Sequence, residues 1–182
     1  MTVAVYFLDR DEYRRRDDAR HEAHKTWRSA HPDVDISQGW PAELQALNNS
    51  FIGPGAMYEC WWIFDPKNPE DQQKREHYLS QPDSFFDPSN TSRGYLSPYY
   101  WRQWSHIRPP LNVLCPNGDH WIIDQVSSNG MGWQVTGDPP LITAAPSIQT
   151  GRYHGFLQNG VFTADCERPH APNGVRYDGM PA

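Results

Sequence analysis

The sequence predicts an α+β fold, in which an antiparallel β-hairpin sheet or small sandwich in the C-terminal half carries short helices from the N-terminal half. Three observations predict it. From Leu111 onward the chain alternates short apolar runs with turn dipeptides, the pattern of strands joined by hairpins. Before that point a capping residue opens a long polar stretch suited to helix. Aromatic residues make up 13% of the chain, with 8 Trp and 9 Tyr, so packing leans on large rings that favour sheets and aromatic-lined clefts. A chain of 182 residues fits one domain with a real core. Within it, residues 1–107 are a strand plus helical and loop elaboration, 108–165 a β-rich core carrying the candidate site, and 166–182 a loose tail.

Residues 2–8 are β-rich and end at Asp9, which caps a helix over 11–29 that packs through Tyr13, Ala23 and Trp27. His31-Pro32, Trp40-Pro41 and Gly53-Pro54-Gly55 break the next stretch and leave room only for a short helix near 42–48. A buried strand follows over 57–64, then a polar helix near 69–79. Residues 80–97 read as a long surface loop pinned by Phe85 and Phe86, and Ser97-Pro98 opens a short aromatic helix over 99–105. Strands are expected at 111–114 and 121–126 around Pro116-Asn117-Gly118-Asp119, and at 132–136. Residues 141–145 and 147–150 read as strands parted by Pro146, which demands an edge or a bulge. Residues 153–157 and 161–164 flank Gln158-Asn159-Gly160, the strongest hairpin signal in the chain.

A net charge of −6 speaks against a nonspecific nucleic-acid or anionic-membrane surface, and Arg14-Arg15-Arg16 is interleaved with acids as a solvated helix face. No run approaches a membrane span and the N-terminus lacks a signal-peptide layout, so a cytoplasmic location in a bacterial or phage-infected cell is expected. Cys60, Cys115 and Cys166 have no paired spacing and are read as reduced thiols.

The candidate catalytic pair is Ser147 and His154. If the turn Gly151-Arg152 has two residues, Thr150 pairs with Tyr153, Gln149 lies opposite His154, and Ser147 becomes the diagonal neighbour of His154 on one face. A hydroxyl beside an imidazole is the minimum for a base-activated nucleophile. A loop longer by one residue turns Ser147 to the other face, and a plain cross-strand polar contact is the alternative reading. Asp124, at the end of an apolar strand, is favoured over Asp138 and Asp165 as the acid orienting the imidazole. Residues 127–132 offer backbone N–H groups for an oxyanion hole or form an ordinary loop. His21, His24 and His31 are read as solvent-exposed rather than metal ligands, and Cys115 as a buried hydrophobe rather than a thiol nucleophile with His120 as base. Trp61-Trp62 and the rings of Tyr99, Tyr100, Trp101 and Trp104 are read as core rather than as a ligand platform.

The runs Arg108-Pro109-Pro110-Leu111-Asn112-Val113-Leu114-Cys115-Pro116-Asn117-Gly118, Gly132-Trp133-Gln134-Val135-Thr136-Gly137, Ala145-Pro146-Ser147-Ile148 and Tyr153-His154-Gly155-Phe156-Leu157-Gln158-Asn159-Gly160 resemble a small domain family of bacteriophages and bacteria. Some of its members accompany bacterial ubiquitin-like (Bub) conjugation operons as peptidases that process or remove the modifier. The resemblance covers about residues 108–165. It implies that Ser147 is the nucleophile and His154 its base. Relatives often open this domain with several cysteines, suggestive of a metal; here only Cys115 precedes Pro-Asn-Gly, which leaves a metal-dependent role without its ligands. The expectation is therefore a serine hydrolase or peptidase without cofactor or metal. Its substrate would be a protein or peptide, such as a ubiquitin-like tail, with no nucleic-acid or membrane partner. The alternative is a non-catalytic phage-encoded binding or counter-defence protein.

Overall fold

The computed structural model describes residues 2–37, 39–79, 108–126 and 132–166. The expected loop over 80–97, the aromatic helix over 99–105, residues 127–131 of the candidate oxyanion loop and the tail beyond 166 lie outside the described residues.

The first strand region splits in two. Strand β1 (Val3–Ala4) pairs antiparallel with the last strand, whereas β2 (Tyr6–Leu8) runs parallel to β3 (Ala56–Glu59). Between them Val5 is buried, and its N–H donates to the Gly160 carbonyl at 2.7 Å. The expected strand over 57–64 is shorter than its apolar run, because Cys60 begins a turn in which the Ile63 N–H returns to the Cys60 carbonyl.

Helix α1 (Arg10–Ala30) starts where the sequence places it: the Asp9 carboxylate accepts from the Glu12 N–H at 2.8 Å, filling one of the donors a helix start leaves open. Its apolar stripe is thin, and Trp27 is its only buried residue. Tyr13 packs against Tyr58, ring centroids 4.3 Å apart. Helix α2 (Ala42–Phe51) runs three residues past its expected end at 48 and buries Leu44 and Asn48. Helix α3 (Pro69–Leu79) opens with proline at its first position, and Asn68 Oδ1 accepts from the Glu70 N–H.

The remaining strands are β4 (Leu111–Leu114), β5 (His120–Ile122), β6 (Gln134–Thr136), β7 (Thr143–Gln149), β8 (His154–Gln158) and β9 (Val161–Phe162). They form two sheets, β2-β3-β4-β5 and β1-β9-β8-β7-β6. The fold is α+β, with N-terminal helices and C-terminal mixed and antiparallel sheets. Asn159 and Gly160 both take positive φ, 46° and 71°, as the two-residue turn between β8 and β9 requires.

A shared core lies between the sheets. Met57, Leu111, Val113 and Trp121 from one sheet meet Ile142, Ile148, Leu157 and Phe162 from the other sheet and its flank. Burying each such side chain stabilises by roughly 1.5–3 kcal/mol. A second cluster, with Leu8, Ile52, Ala56 and Tyr58, joins the opposite face of the four-stranded sheet to α1 and α2. Strand β3 is thus buried on both faces, which accounts for its unbroken apolar reading. The layers run helices, four-stranded sheet, five-stranded sheet. Ser147, Gln149 and His154 stand on the far face of the last layer, alternating with buried Ile148, Tyr153 and Gly155. Among the described residues no helix is long and apolar enough to cross a membrane.

Candidate functional site

The turn between β7 and β8 has two residues. Gln149 pairs with His154, and the Thr150 N–H donates to the Tyr153 carbonyl at 2.9 Å. Pro146 sits in a bulge, one of the two places its missing N–H allows. Between Ala144 and Ile148, four steps along β7 face only two along β8, from Leu157 to Gly155. Alternation breaks at the bulge, where Ala145 and Pro146 are both exposed, and resumes at buried Ile148, which leaves Ser147 on the side of Gln149. Its Oγ lies 3.1 Å from His154 Nε2, and both residues are half-buried. Trp133 anchors the bulge by donating its indole N–H to the Ser147 carbonyl at 3.2 Å.

The geometry corrects the expectation for Asp124. Its carboxylate is buried and taken at both oxygens: Arg108 donates at 2.7 and 3.1 Å, and the Leu111 N–H at 2.7 Å. Asp124 follows β5 at the edge of the four-stranded sheet and locks the entry to β4, whereas His154 belongs to the other sheet. The physical reason is the local competition for a buried acid: an arginine and an open backbone N–H at Leu111 lie within reach, and a buried charge takes them. The acid that the topology brings alongside His154 is Asp165. It precedes Cys166, whose N–H donates to the His154 carbonyl at 2.7 Å.

Asp119, read from the sequence only as a turn residue, holds the pair's geometry together. From the β4–β5 turn its carboxylate accepts from Thr150 Oγ1 at 2.8 Å, from the Arg152 N–H at 3.1 Å, and from Arg152 Nε at 2.9 Å and Nη2. Burial pushes its pKa up, but the bonds from Thr150, Asn117 and Arg152 outweigh that and hold the carboxyl below its ordinary value. The register that decides the face of Ser147 is thereby pinned from outside the hairpin. No local signal announces this, because the two turns are more than thirty residues apart in sequence.

Beside the pair, and not containing it, lies a cavity of about 540 Å³ at the β5 edge. Asn112, Tyr58 and His120 form its polar wall: His120 Nδ1 receives the Asn112 amide at 3.1 Å and faces the Tyr58 hydroxyl at 3.3 Å. With Nδ1 accepting, the imidazole carries its proton on Nε2. Burial first, then nearby Arg20, holds His120 below its ordinary value against the opposing pull of Asp119. Trp62, Trp121 and Trp133 supply aromatic walls, and Gln149 and Thr150 form the rim toward Ser147. Trp62 is 53% exposed, so the reading of Trp61-Trp62 as core fails for it. The neighbouring Trp61 ring is covered by Arg10 and Arg14, their guanidinium carbons 5.0 and 5.3 Å from its centre.

Cys115 is fully buried in the shared core and burial pushes its thiol well above the ordinary range, which disfavours the thiolate a nucleophile needs. His21, His24 and His31 point to separate places: the Asp17 carbonyl, the Trp40 ring and a stack on Trp27. Among the described residues no group of three His, Cys, Asp or Glu side chains could hold a metal ion. No protein-family model matches the chain, and no curated protein or solved structure matches it significantly.

Proposed function

We propose that the protein is a serine hydrolase, most simply a peptidase acting on a protein tail such as that of a ubiquitin-like modifier. The observation that carries this reading is the 3.1 Å contact between Ser147 Oγ and His154 Nε2 on a solvent-reachable sheet face. In the reaction Oγ attacks the scissile carbonyl carbon while its proton passes to Nε2. The C–N bond then breaks, and the leaving amine takes that proton. Water attacks the acyl-serine, gives a proton to Nε2, and the ester C–O bond breaks as Oγ recovers it. Asp165, in place of Asp124, is the acid proposed to orient the imidazole.

An alkyl fluorophosphonate probe tests this directly. The folded protein should become labelled at Ser147, with labelling lost in Ser147→Ala and in His154→Ala. Folded protein that never labels refutes the reading and favours the second one, a binding protein without turnover, for which the aromatic cavity next to the pair is the supporting observation.

A further inference from the structure

We propose that the cavity at the β5 edge is the specificity pocket of this site, receiving an uncharged aromatic side chain of the peptide on which Ser147 acts; this rests on the hydrolase reading. Its position is the first argument. Gln149 lies on the rim, on the same face as Ser147 and two residues along the strand, a separation of about 6.6 Å. That is close to the reach of a phenylalanine or tyrosine side chain. Trp133 joins the two places physically, lining the cavity with its ring while its N–H holds the Ser147 carbonyl. The same indole stands edge-on to Trp121, centroids 5.1 Å apart, so the wall next to the reacting serine is aromatic and braced.

The lining chemistry is the second argument. The described lining holds no Asp, Glu, Lys or Arg, so neither an acidic nor a basic side chain finds a counter-charge there. Arg20, the cation whose field reaches Tyr58 and His120, is paired with Asp17 at 2.5 Å. The polar groups present are neutral amides, a hydroxyl and an imidazole: Asn112 and Tyr58 are turned to His120, and Gln125 and Gln149 stand at the lining with amides suited to a peptide backbone. A volume of about 540 Å³ exceeds what one ring fills and leaves space for the adjoining backbone.

Four diphenyl phosphonates, the analogues of phenylalanine, alanine, lysine and glutamate, separate this inference from the reading beneath it. In each, Ser147 Oγ forms a bond to phosphorus, phenoxide leaves, and the hydroxyl proton departs with it as phenol by way of His154. Labelling rates are read by intact mass, with the alkyl fluorophosphonate run in parallel. The phenylalanine reagent should react at least about tenfold faster than the alanine one, and faster still than the two charged ones. Trp62→Ala, on the half-exposed far wall, should bring the phenylalanine rate down toward that of alanine in protein that still labels with the fluorophosphonate. Four equal rates on a protein that labels with the fluorophosphonate overturn the pocket and leave the hydrolase standing. Absence of all labelling overturns both.

Discussion

Asp119→Ala should loosen the β7–β8 turn and, with it, the encounter of Ser147 with His154. The loss can be sized from the contacts. Asp119 accepts from Thr150 Oγ1, from the Arg152 backbone and from two guanidinium nitrogens. Hydrogen bonds to charged groups contribute about 1.5–3 kcal/mol each when well made. Here the side chains are 15% and 33% exposed, which places the pair between surface ion pairs at about 0–1 kcal/mol and buried ones at about 3–5 kcal/mol. A destabilisation of about 2–3 kcal/mol is expected for Asp119→Ala, equivalent to about 5–10 °C in Tm for a chain of this size. Asp119→Asn, which keeps an acceptor but not the charge, should lose about 1–2 kcal/mol.

Urea unfolding at pH 7 measures the difference, and acid titration tests its origin. The folded carboxyl sits below its ordinary value, so its contribution is complete above about pH 3.9 and disappears as pH falls from there through the lower folded value. The gap between wild type and Asp119→Asn should therefore be constant from pH 7 to about 5 and close below about 4. An Asp119→Ala protein within about 0.5 kcal/mol of wild type would sink the argument that this network holds the turn. A protein destabilised as expected, yet labelled at Ser147 at the wild-type rate while folded, would show that the network stabilises without setting the register.

Asp124→Asn should cost about 2–3 kcal/mol in urea, below the full buried-pair range because Arg108 is 22% exposed, while leaving fluorophosphonate labelling of the folded protein unchanged. Asp165→Asn should do the converse, slowing labelling at Ser147 at least about tenfold with less than about 1 kcal/mol lost in unfolding. Gly55 and Gly118 share a φ, +88° and +84°, but a Cβ at Gly55 runs into the Ala4 carbonyl whereas Gly118 has open space. Both alanine variants carry the about 1–2 kcal/mol of a left-handed backbone, and only Gly55→Ala adds the clash, so its Tm should fall several degrees further.

The parts of this fold written in short stretches were legible before any coordinates. The Asp9 cap, the Asn159-Gly160 turn and the polar helix at Pro69–Leu79 each depend on residues within a few positions of one another. The meeting of Ser147 with His154 was reachable for the same reason, since one two-residue turn decides it. What stayed hidden depends on distant partners. Nothing near Asp119 tells that its turn meets Arg152, and nothing near Asp124 ranks Arg108 above an imidazole as its partner. The place of Trp62 is not legible locally, because a tryptophan beside a buried strand has the same composition whether it points into the core or over a cavity. The split at Val5 was equally invisible: residues 2–8 read as one strand, and only the presence of two sheets divides it.

That split ties the two sheets to the order of synthesis. The strand leading into the four-stranded sheet is continuous with β1, whose partner β9 ends at Phe162, so the five-stranded sheet cannot acquire its edge until nearly all of the described chain has been made. Until then Val3 and Ala4 present an unpaired strand to the cell, while the parallel ladder of β2 on β3 is held by its own contacts, by β4 and by α1. Contacts of such sequence separation are slow to form. A nascent chain halted before β9 should bind a chaperone that captures exposed strands, and release it once residues 153–162 are free to close the sheet.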